Sequence, residues 1–490
     1  MGTTLLLAPL LAPLAAGALA AVLPWGRVVA ATGVVAALVI LASAIGLAAV
    51  AGSPAAGARV GWLHADALAV FMLLVIGVVA TLATLAGIGY VQAELAAGHT
   101  TPGSVRWYGV LVQVFIAAMV TAVESRNLGI TWVAIEATTV ATAFLVGHRR
   151  TRAAMEATWK YVLICSVGIA LALLGTVFLY LAALHAGATT TQALDLGWLT
   201  THAGALDPGV TRMAMGLLLL GYGTKAGLVP FHTWLADAHS QAPAPVSALM
   251  SGVLLAVAFS ILARIRVIAD GAVGPGFLRV GLLVVGLLTL VVAAGLLVVQ
   301  RDYKRMLAYS TMENMGLLAL AAAAGTPLAT TALLLHILGH GIGKSVLFLS
   351  SGQVQQAHGS TAIADVSAIL TRRPLLGAVL AAGLAALIGL PPFSLFASEL
   401  GIVRGLAERG LVLPLGIGLL LVLIAAAALV RHGIGLLLGS PQPDQPRIAL
   451  PATVAIPLVV GVVLLVALGI SVAPLQTLLT HAGAILAGPR

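Results

Sequence analysis

Charge and cysteine are what this chain lacks most. Only 8% of its 490 residues are Asp, Glu, Lys or Arg, where a soluble globular domain carries about 25%. Aromatic residues make up 5%. Together these absences exclude a soluble enzyme, a disordered chain and a nucleic-acid-binding protein. The single cysteine, Cys165, leaves no intrachain disulfide, no four-thiolate iron–sulfur site and no cysteine-ligated metal centre. No Gly-rich phosphate loop occurs, so the chain has no nucleotide motif of its own.

What is present is apolar. Hydrophobic residues form 61% of the chain, and mean hydropathy is +1.12. Stretches such as 28–58, 67–93, 280–300, 314–343 and 374–398 contain no charged residue. They are continuously apolar rather than alternating, which excludes a β-barrel and points to an all-α integral membrane protein. At about 20 apolar residues per span, roughly 14 transmembrane helices fit. They are expected at 4–24, 28–50, 67–90, 107–123, 127–147, 159–183, 211–229, 244–263, 278–299, 306–324, 328–352, 374–400, 411–438 and 452–474. No basic residue precedes Arg27, so the first stretch reads as a span rather than a cleaved signal. Residues 448–489 are too many for one helix and too few for a pair, so the last stretch could lie at the interface. Of the 24 basic residues behind the net charge of +9, 12 fall in loops on one side and 9 on the other. That bias favours both termini outside the cytoplasm.

Two spans carry internal prolines. Leu228-Val229-Pro230-Phe231 in the seventh resembles Leu390-Pro391-Pro392-Phe393 in the twelfth. Proline breaks a spanning helix and frees backbone carbonyls. Broken helices at matching positions of two halves point to a transport site.

The buried charges carry the chemistry. There are four lysines and twenty arginines, and Lys160, Lys225 and Lys344 fall within or at the edge of apolar spans. Lysine shifts its pKa on burial and arginine does not, so a path that loads and unloads protons can use lysine. Glu136 lies mid-span, and its partner must come from another helix. Lys225, just ahead of the first break, is its natural partner. A lone hydrogen-bonded carboxyl, resting on Thr139 one turn on, is the structural alternative. His336, His340 and Lys344 recur at i, i+4 and i+8, on one helix face, a spacing that suits a water-linked proton wire. A His-His pair at i, i+4 can also hold zinc, but no carboxylate accompanies it. Glu399 follows the second break by about two turns. Lys160 reads either as an inlet group or as a snorkelling lysine. Glu124 and Glu313, nearer span ends, read as interfacial.

Lys225 through Pro243, with His232, Asp237 and His239 in the run His-Thr-Trp-Leu-Ala-Asp-Ala-His, resembles the signature of the antiporter-type subunits of respiratory complex I, membrane-bound hydrogenases and multisubunit sodium/proton antiporters. Asp302 to Ser310 and His340 to Leu349 resemble two further family segments. Within the family, Trp132 to Leu145 and Trp159 to Tyr180 are most similar to hydrogenase-4 component F. The resemblance implies 14 helices with inverted repeats of five, broken at spans seven and twelve. The segments would be 1–105, with the first three helices; 106–263 and 264–438, the two repeats; and 439–490, the last helix and tail. It implies a Glu136–Lys225 switch, a central relay of His336, His340 and Lys344, an outlet at Glu399 and, less firmly, an inlet at Lys160. One departure stands out: most members carry a lysine or histidine in the eighth span, where 244–263 offers only Ser247, Ser251 and Ser260.

The expected function is proton translocation within a redox-driven complex in a prokaryotic cytoplasmic membrane. The subunit would have no bond chemistry, cofactor or metal of its own. Its partners would be other membrane subunits and a peripheral redox module. A sodium/proton antiporter subunit, a part of another assembly such as one for inorganic-carbon uptake, and a scaffold that has lost pumping are the alternatives.

Overall fold

The computed structural model describes residues 2–50, 58–439 and 450–488. Arg447 and Arg490, counted in the charge balance, lie outside them. The described chain is helical almost throughout. In a hydrocarbon solvent every backbone N–H and C=O must find an internal partner, and a helix supplies that. Six long helices open the fold: α1 (Gly2–Val22), α2 (Arg27–Val50), α3 (Ala67–Ala96), α4 (Pro102–Glu124), α5 (Leu128–Val146) and α6 (Arg152–His185). A short hairpin, β1 (Ala58–Val60) and β2 (Leu63–Ala65), precedes α3. It departs from the all-helical expectation. The short α7 (Leu196–Thr201) follows α6, then the 18-residue α8 (Pro208–Lys225), which stops at the first break. α9 (Trp234–Gln241) resumes after the break, and α10 (Ala244–Leu249) passes through a π-turn at Met250–Leu254 into α11 (Leu255–Val273). Next come α12 (Gly276–Val298), α13 (Tyr303–Ala324) and α14 (Pro327–His358). After α15 (Ile369–Arg372), the second broken pair is α16 (Pro374–Leu387) and α17 (Ser394–Glu408). α18 (Val412–Leu437), α19 (Ala452–Ile470) and α20 (Gln476–Ala487) complete the chain.

Among the described residues, 11 helical segments are long and apolar enough to cross a membrane. α8, α13 and the α16–α17 pair stand where the seventh, tenth and twelfth spans were expected. The eighth is longer than expected: α11 runs on to Val273, so Arg264 and Arg266 sit on a helix rather than in a loop. Both are tied down, Arg264 to Asp66 at 2.6 and 2.7 Å and Arg266 to Asp270 at 2.5 Å. The last stretch resolves into α19 and the 12-residue α20, too short to span, which lies against α3 and α14.

Helix starts are written in polar residues at the loops. The Asp66 side chain accepts from Ala69 N, Asn127 from Gly129 and Ile130 N, Asp302 from Arg305 N, and Thr326 from Ala329 N. These caps satisfy N–H groups that the first turn leaves open. Burial then sorts the helices. Every residue in the apolar window of 244–273 and of α14 is buried, against 22% for α18. α10–α11 and α14 are therefore the axis, and α1, α18 and α19 the lipid-facing rim. The axis helices touch backbone to backbone where Gly252 of the π-turn meets Gly341. A Cβ on either would stand within 3 Å of the other's carbonyl.

Candidate functional site

The two breaks are built alike. α8 and α16 each end on a glycine in the left-handed region, Gly227 at φ 73° and Gly389 at φ 68°. The next residue's N–H reaches five residues back in both: Leu228 to Gly223 O at 2.9 Å and Leu390 to Ala385 O at 3.1 Å. The glycine N–H reaches three back, to Thr224 O and Ala386 O. This is a Schellman ending, which needs the αL residue that glycine supplies without steric penalty. In sequence the match is Gly-Leu-x-Pro-Phe, one residue longer than the prolines alone suggested. Ten residues past each glycine stands a carboxylate, Asp237 in one half and Glu399 in the other. The Val229–Pro230 and Pro391–Pro392 peptide bonds are both cis.

Lys225 sits at the last turn of α8 and is wholly buried. It makes no direct ion pair with Glu136. Its Nζ donates to Thr139 Oγ1 and to Tyr161 OH, each at 2.9 Å. Thr139 Oγ1 in turn donates to Glu136 Oε2 at 3.0 Å. The expected pair is thus bridged by a hydroxyl, and the expected Thr139–Glu136 bond is there as well. The Lys225 ammonium also lies 5.0 Å from the centre of the Tyr161 ring, cation–π range. Glu136 keeps part of its surface on the lateral face of α5, between exposed Val133 and Val140.

The next groups lie across two aromatic rings. Tyr161 meets Trp234 edge-on at 5.0 Å, and Trp234 lies 6.4 Å from His239. His239 is wholly buried and stacks on Phe348 of α14 at 5.2 Å. Neither of its ring nitrogens has a partner among the described residues. It lies within electrostatic reach of Lys344 and Lys304. His239 thus lies between Trp234 and Phe348 of α14. His336, His340 and Lys344 line one face of α14, all wholly buried. Lys344 Nζ donates to Leu307 O at 2.8 Å and to Ser310 Oγ. His340 stacks parallel to His336 at 6.4 Å, and both its nitrogens are also without a partner among the described residues. His336 bonds Asn314 Oδ1 at 2.9 Å and Ser398 Oγ at 3.0 Å.

Two carboxylates follow. Asn314 donates to Glu313 Oε2 at 2.9 Å, and Glu313 lies in the electrostatic field of Glu399 and Lys344. Glu313 is buried, at 4% exposure, and Glu124 is wholly buried with both carboxylate oxygens unpartnered among the described residues. Glu124 is the last residue of α4, at a span end as expected, whereas Glu313 sits at the middle of α13 (Tyr303–Ala324), which begins earlier than the expected span, and so departs from the interfacial reading. Glu399 is packed against the second break, where a Cβ on Gly389 would collide with its carboxylate. Lys160 is apart from this axis. It is about half exposed and pairs with Glu156 at 2.6 Å and with Asp237 at 3.1 Å. Arg305 takes the other Asp237 oxygen at 2.7 Å. Asp237, Arg305, Tyr309 and His232 line an open cavity of about 630 Å³ beside the first break. Sequence reasoning missed Tyr161 and Asn314, because an aromatic or amide residue inside a span carries no periodicity that separates a hydrogen-bonding role from packing.

Three comparisons bear on this arrangement. The profile of a family described as NADH:quinone oxidoreductase/Mrp antiporter, transmembrane, matches residues 125–425, more than half of the chain. The hydrogenase-4 component F homolog of Methylacidiphilum infernorum is 37% identical over 360 residues, 73% of this chain and 75% of that protein. Hydrogenase-4 component B of Escherichia coli is 30% identical over 351 residues, which are 69% of this chain and 50% of that protein. A chain from the membrane-bound sulfane sulfur reductase, an archaeal respiratory membrane complex, superposes with a TM-score of 0.87 at 25% identity, over 99% of this chain and 98% of that one.

Proposed function

Because the chain belongs to the NADH:quinone oxidoreductase/Mrp antiporter transmembrane family, we propose that its buried polar axis moves protons as part of a redox-driven membrane complex of the hydrogenase or NADH:quinone oxidoreductase type. One observation carries the reading: titratable side chains continue across the protein, from partly exposed Glu136 through buried Lys225, His239, Lys344, His340, His336 and Glu313 to partly exposed Glu399. Ionisable groups inside a membrane are costly and mark proton and ion routes. A buried polar atom left unbonded costs about 1–3 kcal/mol. The unpartnered nitrogens of His239 and His340 therefore suit sites that hydrogen-bond water, the medium of a proton wire.

The chain supplies the route and not the drive. Moving one proton against 100 mV takes about 2.3 kcal/mol, which a partner redox module provides. A mid-membrane carboxylate facing lipid costs about 2.5–3.5 kcal/mol. The partly exposed flank of Glu136 on α5 therefore supports contact with another membrane subunit there. The side bearing Arg149, Arg150, Arg152, Arg301, Lys304 and Arg305 is the cytoplasmic one by the positive-inside rule. The matched breaks at Gly227 and Gly389 support two repeats, 106–263 and 264–438. Lys160 and Asp237 form the inlet beside the open cavity, and Glu399 the outlet.

Purification of the tagged protein from its own membranes in mild detergent, with mass spectrometry of what accompanies it, tests the assignment. Nickel–iron hydrogenase-like and iron–sulfur subunits are expected. Small antiporter subunits without any redox protein would move the chain to cation/proton exchange.

A further inference from the structure

The hydrogens around Lys225 can be assigned from the bonds each hydroxyl makes, and they set a direction. The buried ammonium has two oxygen partners, Tyr161 OH and Thr139 Oγ1. A hydroxyl has one proton to donate and two lone pairs. On the Tyr161 branch, Thr142 Oγ1 spends its proton on Thr138 O at 2.6 Å. The 2.5 Å contact between Tyr161 OH and Thr142 Oγ1 must therefore be donated by the tyrosine. That branch runs lysine to tyrosine to threonine and ends on a backbone carbonyl, which takes no proton. On the other branch, Thr139 Oγ1 accepts from Lys225 and gives its own proton to Glu136 Oε2 at 3.0 Å. Its alternative acceptor, Ile135 O, lies at 3.5 Å, beyond good hydrogen-bond length. Of the two branches, only this one ends on a base.

We infer that Thr139 is a proton relay between Lys225 and Glu136, and that Tyr161 is a positioning residue that holds the ammonium against it. The transfer balances in one concerted step. A Lys225 N–H bond breaks as its proton forms a new O–H bond on Thr139. The original Thr139 O–H bond breaks as that proton binds Glu136. Lysine and glutamate end neutral, threonine ends unchanged, and one proton has moved. The pair thus discharges without ever forming a direct ion pair. Packing holds the hydroxyl in place between the two groups. Thr139 is 2% exposed, and Tyr161 is wholly buried between Lys225 and Trp234.

This inference rests on the proposed proton-translocating function, and the experiment separates the two. Thr139→Val keeps the shape of threonine and removes only the relay; Thr139→Ser keeps the relay and removes only a methyl. Each, with Lys225→Met, is introduced into the full complex in native membrane vesicles. Proton uptake is followed with a pH-gradient dye during redox turnover, and assembly by the amount of co-purified partner subunits. The expected result is a loss of at least about tenfold in proton translocation for Thr139→Val, near-wild-type transport for Thr139→Ser and no transport for Lys225→Met, with assembly equal in all. Equal transport by Thr139→Val and Thr139→Ser while Lys225→Met is inactive would overturn the relay and leave the function standing. Transport by Lys225→Met would overturn the function itself. If Thr139→Val fails to assemble, Thr139→Ala is read in its place against the same serine variant.

Discussion

His239 offers a substitution that should cost transport far more than stability. The ring stacks on Phe348 at 5.2 Å and faces Trp234 at 6.4 Å, and both nitrogens are buried without a partner among the described residues. Alanine would open a cavity costing about 3–5 kcal/mol, as for other aromatic truncations, and would confuse packing with transport. Phenylalanine keeps the stack. A near-isosteric swap in a core usually costs under about 1.5 kcal/mol. His239→Phe should therefore lie within about 1.5 kcal/mol of the parent in stability. Transport should suffer. Deleting one hydrogen-bonding stop from a wire raises the transfer barrier by roughly the cost of one unpaired polar group; at about 3 kcal/mol that slows transfer about 100-fold, since each 1.36 kcal/mol is tenfold. The assays are the thermal unfolding midpoint in detergent and dye-monitored proton uptake by vesicles. Wild-type proton uptake by His239→Phe would refute the claim that His239 is a stop on the proton route.

Other outcomes follow from particular contacts. Gly389→Ala should impair transport more than Gly227→Ala. Both strain a left-handed position by about 1–2 kcal/mol, but only the former drives a Cβ into the Glu399 carboxylate, whereas at Gly227 the Cβ meets flexible Leu235; paired proton-uptake rates check it. Asp66→Ala should destabilise the protein by about 1–2 kcal/mol, below the scale for a fully buried pair, because it strands partly buried Arg264 and uncaps α3. Burial pushes the Asp66 carboxyl up, but the Arg264 charge and hydrogen bonds outweigh it and hold it below the ordinary value. Its stabilising contribution is thus complete above the unfolded aspartate pKa of about 3.9 and fades as pH falls through the lower folded value. Unfolding midpoints of Asp66→Ala and parent should differ by a constant amount from pH 8 to 5 and converge only in strong acid. Glu313→Gln keeps the bond to Asn314 and removes the titratable carboxyl between Lys344 and Glu399. It should lower proton uptake at least tenfold with assembly unchanged, as read by the same dye and by co-purification.

The family resemblance read from the Lys225–Pro243 run is borne out by the profile match and the relatives. Helix class and most span positions were legible for a simple reason: a bilayer admits few backbone solutions, and continuous apolar runs leave little choice. The breaks were legible from proline, whereas the glycine that shapes each ending shows its role only in the αL geometry. Lys225, His336, His340 and Lys344 stood out because charge inside an apolar run is rare. What could not be read was anything set by long-range packing. The 198-residue link from Arg264 to Asp66, the Tyr161 seat for Lys225, and the burial of Glu124 and Glu313 depend on which helices lie side by side. His239 stood out in sequence only as part of a motif. Its place comes from the turn after the break, which packs α9 against α6 and α13 and brings the His239 ring onto Phe348 of α14.

The central claim is that Lys225 is an obligatory stop for protons. Lys225→Ala and Lys225→Met, assembled in the native complex, should retain the co-purified partners and lose redox-driven proton translocation in membrane vesicles. Proton uptake at the wild-type rate in either assembled variant would contradict the account.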